Sequence, residues 1–298
     1  MMRLLLLCCG LLLTTPLIFA QQNTAAPEKE VILVDFFSRI REVPAPYLEQ
    51  LREQVLGGFV DRGRHRIIDA EASRSLAASV PGTGVTDPAM AAADMDAFLE
   101  ARAPQALAAG ARYLVSGVVV GYHFEHVALP GYDNRHRPLQ GFKSGFRVIL
   151  SALDLKLGQR IADKAYDLTG TAPIAEDADR VALASIRSSI EYYIDFNFKF
   201  ETSILELCPP DRKHRIRELY IHSGTQMGVR LGDLFMVYEE VPIGGVVTRQ
   251  KVGRLRVDDV ENPDVAKCKI TAGDAEIAAA FSAGRTLICI SDSKALFY

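Results

Sequence analysis

The sequence contains no tryptophan and only five cysteines among its 298 residues. Cys8 and Cys9 lie in the N-terminal apolar segment, so three cysteines remain for the rest of the chain. So few cysteines exclude a scaffold held together by a dense disulfide framework. We interpret Cys208, Cys268 and Cys289 as small buried apolar residues. The alternative, in an oxidising compartment, is one disulfide with one thiol left over.

Neither sign of charge is in clear excess, because 34 basic side chains stand against 37 acidic ones and the net charge is −3. This balance provides no electrostatic attraction for nucleic acid, so we expect no nucleic-acid partner. Long apolar runs are also missing after residue 20, where no segment reaches the ~18 apolar residues of a membrane helix. We therefore expect no transmembrane helix in the mature chain.

The first 20 residues have the order of a secretory signal peptide. Arg3 is the positively charged start, residues 4–13 are the apolar segment, and we predict cleavage after Ala20. Large leucines precede Cys8, whereas a lipoprotein signal needs small residues there, so we expect no lipid anchor. Residues 21–30 are predicted to form a flexible leader. These features place the mature protein in the periplasm, free or associated with the outer membrane.

Residues 31–198 are predicted to form an α/β domain. Apolar runs indicate strands at residues 31–37 and 112–120. Two further strands, at residues 145–154 and 159–169, are joined by a tight turn. Alternation of strands with helical spacing implies a mixed sheet with helices packed against it. The predicted helices cover residues 47–59, 70–80, 94–109 and 176–196.

From about residue 200 the pattern changes to short strands separated by turn residues. The turn signals include Gly232-Asp233 and Gly244-Gly245. Five or six short strands in about ninety residues indicate a small closed β-barrel, which we assign to residues 200–292. The predicted fold class is therefore α+β. The predicted barrel strands are residues 203–207, 216–221, 234–241, 252–260, 268–271 and 286–290.

A strand, hairpin and strand pattern is the most informative part of the first domain. Residues 111–117 lead to Gly121-Tyr122, and residues 148–154 close on a turn in which Asp154, Gly158 and Ile161 are spaced Asp-x-x-x-Gly-x-x-hydrophobic. This pattern resembles the CsgG family of curli assembly and transport components, over roughly residues 31–198. The resemblance implies a mixed-sheet domain of the CsgG and TolB N-terminal type.

A second pattern lies at residues 221–238, followed by residues 252–257. Gly224 and Gly228 would occupy turns that need positive φ. This pattern resembles the SH3-like C-terminal domain of FlgT-type flagellar proteins. Both resemblances imply envelope assemblies without catalysis.

The hairpin between Gly121 and Gly145 is the predicted contact surface. CsgG subunits insert two such hairpins into a membrane, but here only a few residues separate the strand ending near Thr169 from the next helix, whereas a spanning hairpin needs about twenty. We therefore expect the first hairpin to extend the soluble sheet or to contact a partner. Its candidate interaction residues are Tyr122, Phe124, Phe142 and Phe146.

Two further groups of residues are candidate sites. His123, Glu125 and His126 could bind a metal only with a distant ligand, because His126 points to the opposite face of a strand, so we interpret them as solvated hairpin residues. The basic group Arg212, Lys213, Arg215 and Arg217 is either a solvated loop or a contact for lipopolysaccharide, peptidoglycan or an acidic patch. We predict no catalytic, cofactor or metal site.

Together these patterns predict a non-enzymatic envelope assembly or scaffold protein. Its expected partners are copies of itself or another envelope protein. One alternative is a regulatory binding module for a cell-wall synthase. Another is a periplasmic hydrolase, which would need a nucleophile and a base brought together in a deep pocket.

Overall fold

The computed structural model describes residues 27–38, 43–68 and 88–292. The predicted signal peptide, most of the predicted leader and the predicted helix at residues 70–80 lie outside these residues. In chain order the first half contains β1 (Val31–Ser38), α1 (Ala45–Arg62), β2 (Arg66–Ile67), α2 (Pro88–Ala108), β3 (Tyr113–Tyr132), β4 (Pro138–Asp154), β5 (Gln159–Ala172), α3 (Ala175–Ala184) and α4 (Ile186–Asn197).

The second half contains mainly strands. They are β6 (Glu201–Leu207), β7 (Glu218–Ile221), β8 (Leu234–Ile243), β9 (Val246–Val260), β10 (Ala266–Ala272) and β11 (Leu287–Asp292), with the short helix α5 (Asp274–Ser282) before β11.

The five strands of the first half form one mixed sheet in the order β2-β1-β3-β4-β5. β1 runs parallel to β2 and β3, whereas β3, β4 and β5 are antiparallel. Ile32, Leu33 and Val34 are at most 1% exposed, so β1 is covered on both faces, as its continuous apolar run predicts. One face packs against α1, α3 and α4, and the other packs against α2. The predicted mixed sheet is confirmed.

Helix α1 continues through Gly57 and Gly58 and past the predicted end at residue 59. A Cβ atom at Gly58 would lie 1.8 Å from Cγ2 of Ile190, so glycine here permits the close approach of α4. The helix ends instead at Gly63, which has a φ of 72° and donates its N–H to the carbonyl of Phe59.

The predicted single helix at residues 176–196 is two helices that meet at Ser185. The Ser185 hydroxyl donates to the carbonyl of Ala182, a local bond that competes with the helical ladder. This break sets the separate positions of α3 and α4 on the sheet.

The second half closes into a six-stranded barrel in the order β10-β7-β6-β11-β8-β9. All six predicted strands are present, and the predicted closed barrel is confirmed. Its interior is apolar, with Leu219, Phe235 and Leu255 fully buried. Helix α5 was not predicted from the sequence, because its alanine-rich run is short. Ile277 and Ala280 of α5 are fully buried against the barrel core.

Candidate interaction site

The base of the β3–β4 hairpin belongs to the core. Phe146 is 1% exposed and Tyr122 is partly buried, and their ring centroids are 4.8 Å apart. Tyr47 of α1 packs edge-on against Phe146 at 6.1 Å. The prediction of Phe146 as a surface contact is therefore wrong, because α1 covers the face of the sheet on which this ring lies.

Further along the hairpin the aromatic residues reach the surface. Phe124 is 40% exposed and stacks on the partly buried Phe142, with ring centroids 5.3 Å apart. His126 contacts the same Phe142 ring at 4.6 Å. Phe124 and Phe142 thus form an aromatic surface where the sequence predicted one.

The histidines of the hairpin have structural contacts. His123 lies across Gly145, where a Cβ atom would fall 1.8 Å from its Cε1. Glu125 pairs with Lys143 on the neighbouring strand at 3.3 Å. Among the described residues no group of three or more His, Cys, Asp or Glu side chains could hold a metal ion.

The hairpin continues beyond the rest of the sheet. Among the described residues, β1 accompanies β3 as far as the pair Ser38–Val119, and β5 accompanies β4 as far as the pair Phe142–Ala172. Within the described chain, residues 127–132 and 138–141 therefore pair only with each other, over roughly 20 Å. We call residues 120–146 the ribbon. The turn that joins its two strands covers only residues 133–137.

The predicted basic group lies in the barrel, between β6 and β7. Arg212, Lys213 and Arg215 are exposed, whereas Arg217 is half-buried. Arg217 lies 3.4 Å from Asp211 and 3.3 Å from Asp274, so its charge is matched within the fold.

A buried carboxylate that the sequence analysis missed lies under the ribbon. Asp179 of α3 is 4% exposed and accepts hydrogen bonds from the hydroxyls of Ser144 and Tyr47, the latter at 2.8 Å. Tyr122 lies 3.3 Å from the same carboxylate. Burial, then the bond to Asp179, raises the pKa of Tyr47 to about 12. The sequence signal that could have revealed this site is a charged residue, Asp179, on the apolar face of α3 that also carries Ala182.

Two arginines and two aspartates join the α/β part to the barrel. Arg62 bonds Asp195 of α4 at 2.6 Å and Asp233 before β8 at 2.8 Å, and all three are at most 6% exposed. Arg64 lies 2.7 Å from Asp195. We call these four residues the junction cluster. The sequence offered no signal for it, since its members are up to 171 positions apart.

The electrostatics of the junction cluster follow from its burial and its neighbours. Burial lowers the pKa of Arg64 to about 10, and repulsion from Arg62 adds to this effect. Burial acts in the same direction on Arg62, but Asp233 and Asp195 outweigh it, so the pKa of Arg62 is raised. Both guanidiniums are charged at neutral pH, and two carboxylates balance them.

A cavity of about 350 Å³ lies beside the junction cluster, between α1 and α4. Its charged lining residues are already paired: Asp61 with Arg187 at 2.8 Å, and Glu191 with Arg230 at 3.2 Å. Arg62, which also lines it, is paired within the junction cluster. The cavity therefore offers no unpaired acid or base for chemistry.

The three cysteines of the barrel are free thiols. Burial raises the pKa of Cys268 to about 12, and it also raises the pKa of Cys289 and Cys208. Cys268 and Cys289 lie in the barrel core, in agreement with the interpretation of apolar packing. Protonated thiols are poor nucleophiles.

Comparison with known proteins gives structural likeness only. No family model and no curated protein matches the chain. Among solved structures, the PelC dodecamer from Paraburkholderia phytofirmans is 16% identical with a TM-score of 0.30, covering 57% of this chain and 91% of that one. Lipoprotein GNA1162 from Neisseria meningitidis is 11% identical with a TM-score of 0.34, covering 56% and 98%. The LpoB C-terminal domain from Salmonella enterica is 12% identical with a TM-score of 0.29, covering 49% and 86%.

These TM-scores carry no conclusion about function. In the part of the chain that the structure describes, no helix is both long enough and apolar enough to cross a membrane.

Proposed function

We propose that this protein is a non-enzymatic, periplasmic or outer-membrane-associated scaffold of the CsgG type, with a FlgT-like barrel. It binds copies of itself or another envelope component through the ribbon. The observation that carries this proposal is the ribbon itself, a two-stranded extension with aromatic residues on its surface.

The ribbon can bind another chain through the unpaired backbone groups along its strand edges. Beyond the sheet, the N–H and C=O groups along the outer edges of β3 and β4 have no strand partner among the described residues. Such edges add a strand from another chain, and exposed side chains on the ribbon then give specificity. Phe124, at 40% exposure, and Tyr132, at 72%, are suited to that role.

The buried polar groups support a non-catalytic role. Asp179 holds α1, α3 and the ribbon base together, and the junction cluster holds the barrel to the α/β part. Arg62 is paired with Asp195 and Asp233, and Asp179 accepts hydrogen bonds from hydroxyl groups. A hydrolase would instead need a nucleophile and a base brought together in a cleft.

The test is self-association of the protein without residues 1–20, measured by sedimentation velocity over a concentration series. The variant Phe124→Asp/Tyr132→Asp places charges on the ribbon. Its matched control is Val246→Asp/Val247→Asp on the β8–β9 hairpin, where the exposed fractions are 65% and 61%. We expect the ribbon variant to shift the protein to smaller species and the control to behave as the unmodified protein does.

A photo-crosslinking residue at position 132, and at position 247 as control, extends the test to other envelope proteins. A defined adduct from position 132 alone, formed in outer-membrane preparations, would support a heterologous partner. A protein that is monomeric at every concentration and forms no adduct from position 132 would overturn the proposal.

A further inference from the structure

The same five-residue loop occurs twice in this chain. Residues 133–137, at the ribbon tip, and residues 211–215, in the barrel, both read Asp-x-(Arg/Lys)-His-Arg. In each loop the fourth residue donates its N–H to the carbonyl of the aspartate at 2.9 Å, and the aspartate N–H donates to the carbonyl of the fifth residue at 2.9 Å. His136 and His214 have φ values of 57° and 58°, the only positive values among described residues other than glycine.

The aspartate carboxylate of each loop accepts hydrogen bonds from backbone N–H groups of the same loop. Oδ1 of Asp133 accepts the N–H groups of Arg135 and Arg137 at 2.8 and 2.9 Å. Oδ1 of Asp211 accepts the N–H groups of the corresponding residues at 2.8 and 3.0 Å. These backbone bonds lower the pKa of both aspartates below the ordinary value. The negative charge thus shapes the loop, and basic side chains form its outer surface.

Several of these basic side chains have no acidic partner in the part of the chain that the structure describes. They are exposed, and they belong to Arg135 at the ribbon tip and to Arg212 and Lys213 in the barrel loop. Arg137, by contrast, donates to Asp133 at 2.9 Å. Both structurally equivalent loops therefore present positive charge that no acid in the described residues offsets.

The surroundings of the first loop indicate which anion it meets. Tyr132 is 72% exposed and Leu139 is 39% exposed, and they flank the loop on its two strands. Tyrosine prefers the boundary between lipid and water, while arginine forms paired hydrogen bonds with phosphate oxygens. Basic residues beside an anionic bilayer are attracted to it electrostatically.

We propose that the two loops dock the protein on an anionic lipid surface by binding the phosphate groups of its headgroups. This inference goes beyond the scaffold role, because it concerns lipid and does not require a protein partner.

The test is cosedimentation of the protein without residues 1–20 with phosphatidylcholine vesicles that contain or lack phosphatidylglycerol. The loop variant is Arg135→Gln/Arg212→Gln/Lys213→Gln. The control is Lys156→Gln/Lys164→Gln/Lys251→Gln, which removes the same charge from exposed residues outside the loops. We expect binding only with phosphatidylglycerol, about a tenfold or greater loss in the loop variant, and a much smaller loss in the control.

Three results would overturn the inference. One is equal binding to both kinds of vesicle, or binding to neither. Another is an equal loss in the loop variant and the control, which would indicate net charge alone. The third is that inorganic phosphate displaces the protein from the vesicles more than chloride does at the same ionic strength. That result would make the loops sites for a soluble anion.

Discussion

His65 shows how one residue responds to the junction between the α/β part and the barrel. Its ring makes edge contacts with Phe59, Tyr113 and Phe198, with centroids 5.3–6.2 Å apart. Burial, with repulsion from Arg64 next in size, lowers the pKa of His65 from 6.5 to about 3. The folded protein therefore holds this imidazole neutral where the unfolded chain would protonate it.

That shift predicts acid sensitivity. Because the pKa of His65 is lower in the folded protein, the free energy of unfolding has its full value above pH 6.5. It decreases as the pH falls from 6.5 towards about 3, where the unfolded chain binds a proton that the folded protein does not. In His65→Phe the aromatic contacts remain but the titration is gone, so the free energy of unfolding should depend less steeply on pH in this window. Urea unfolding at a series of pH values measures it. Parallel slopes for the two proteins would show that His65 does not contribute.

At the scale of elements, Asp179 connects four of them. It lies on α3 and bonds Tyr47 of α1 and Ser144 of β4, with Tyr122 of β3 at 3.3 Å. Periodicity had indicated these elements, although with shorter strands and with α3 and α4 as one helix, but it could not show that one carboxylate joins them. The contacts span 35 to 132 positions in the chain, and local patterns carry no such information.

Asp179→Ala should destabilise the protein by about 1–3 kcal/mol, because it leaves the buried Ser144 hydroxyl and the partly buried Tyr47 hydroxyl without their acceptor. It should also bring the pKa of Tyr47 down from about 12 towards 10, which ultraviolet titration measures. The control is Asp177→Ala on the same helix. Asp177 pairs at 2.9 Å with Arg180, whose side chain is 65% exposed, so the loss there should stay below about 1 kcal/mol. Similar losses in both variants would contradict this account.

At the scale of the whole molecule, two glycines test how the barrel meets the α/β part. Gly228 and Gly232 both have positive φ, 65° and 82°. A Cβ atom at Gly228 would lie 2.2 Å from the carbonyl oxygen of Arg62, whereas one at Gly232 would have no neighbour within 4 Å. The sequence predicted a turn at both positions, but only the structure distinguishes them.

Alanine at either glycine should cost about 1–2 kcal/mol for the left-handed backbone. Gly228→Ala should cost more, because it also forces the end of α1 away from the barrel and disturbs the junction cluster. Denaturant unfolding gives the loss, and hydrogen exchange should show reduced protection at the end of α1 in Gly228→Ala only. Equal loss and unchanged exchange would mean that the junction adapts without strain.

The sequence alone determined the elements that depend on local pattern. Apolar runs indicated the strands, and helical spacing indicated the helices that pack on the sheet. Glycine pairs located turns such as the one between β8 and β9. The sequence also named Phe124 and Phe142 as candidate interaction residues, and their rings stack on each other.

Only the tertiary structure decided which of these residues are free to act. It buried Phe146 beneath α1, extended the ribbon beyond its neighbouring strands, and paired Arg62 with carboxylates 133 and 171 positions away. The physical reason is that a residue's periodicity depends on its immediate neighbours in the chain. Its exposure and its charge partners depend on segments that meet it only after folding.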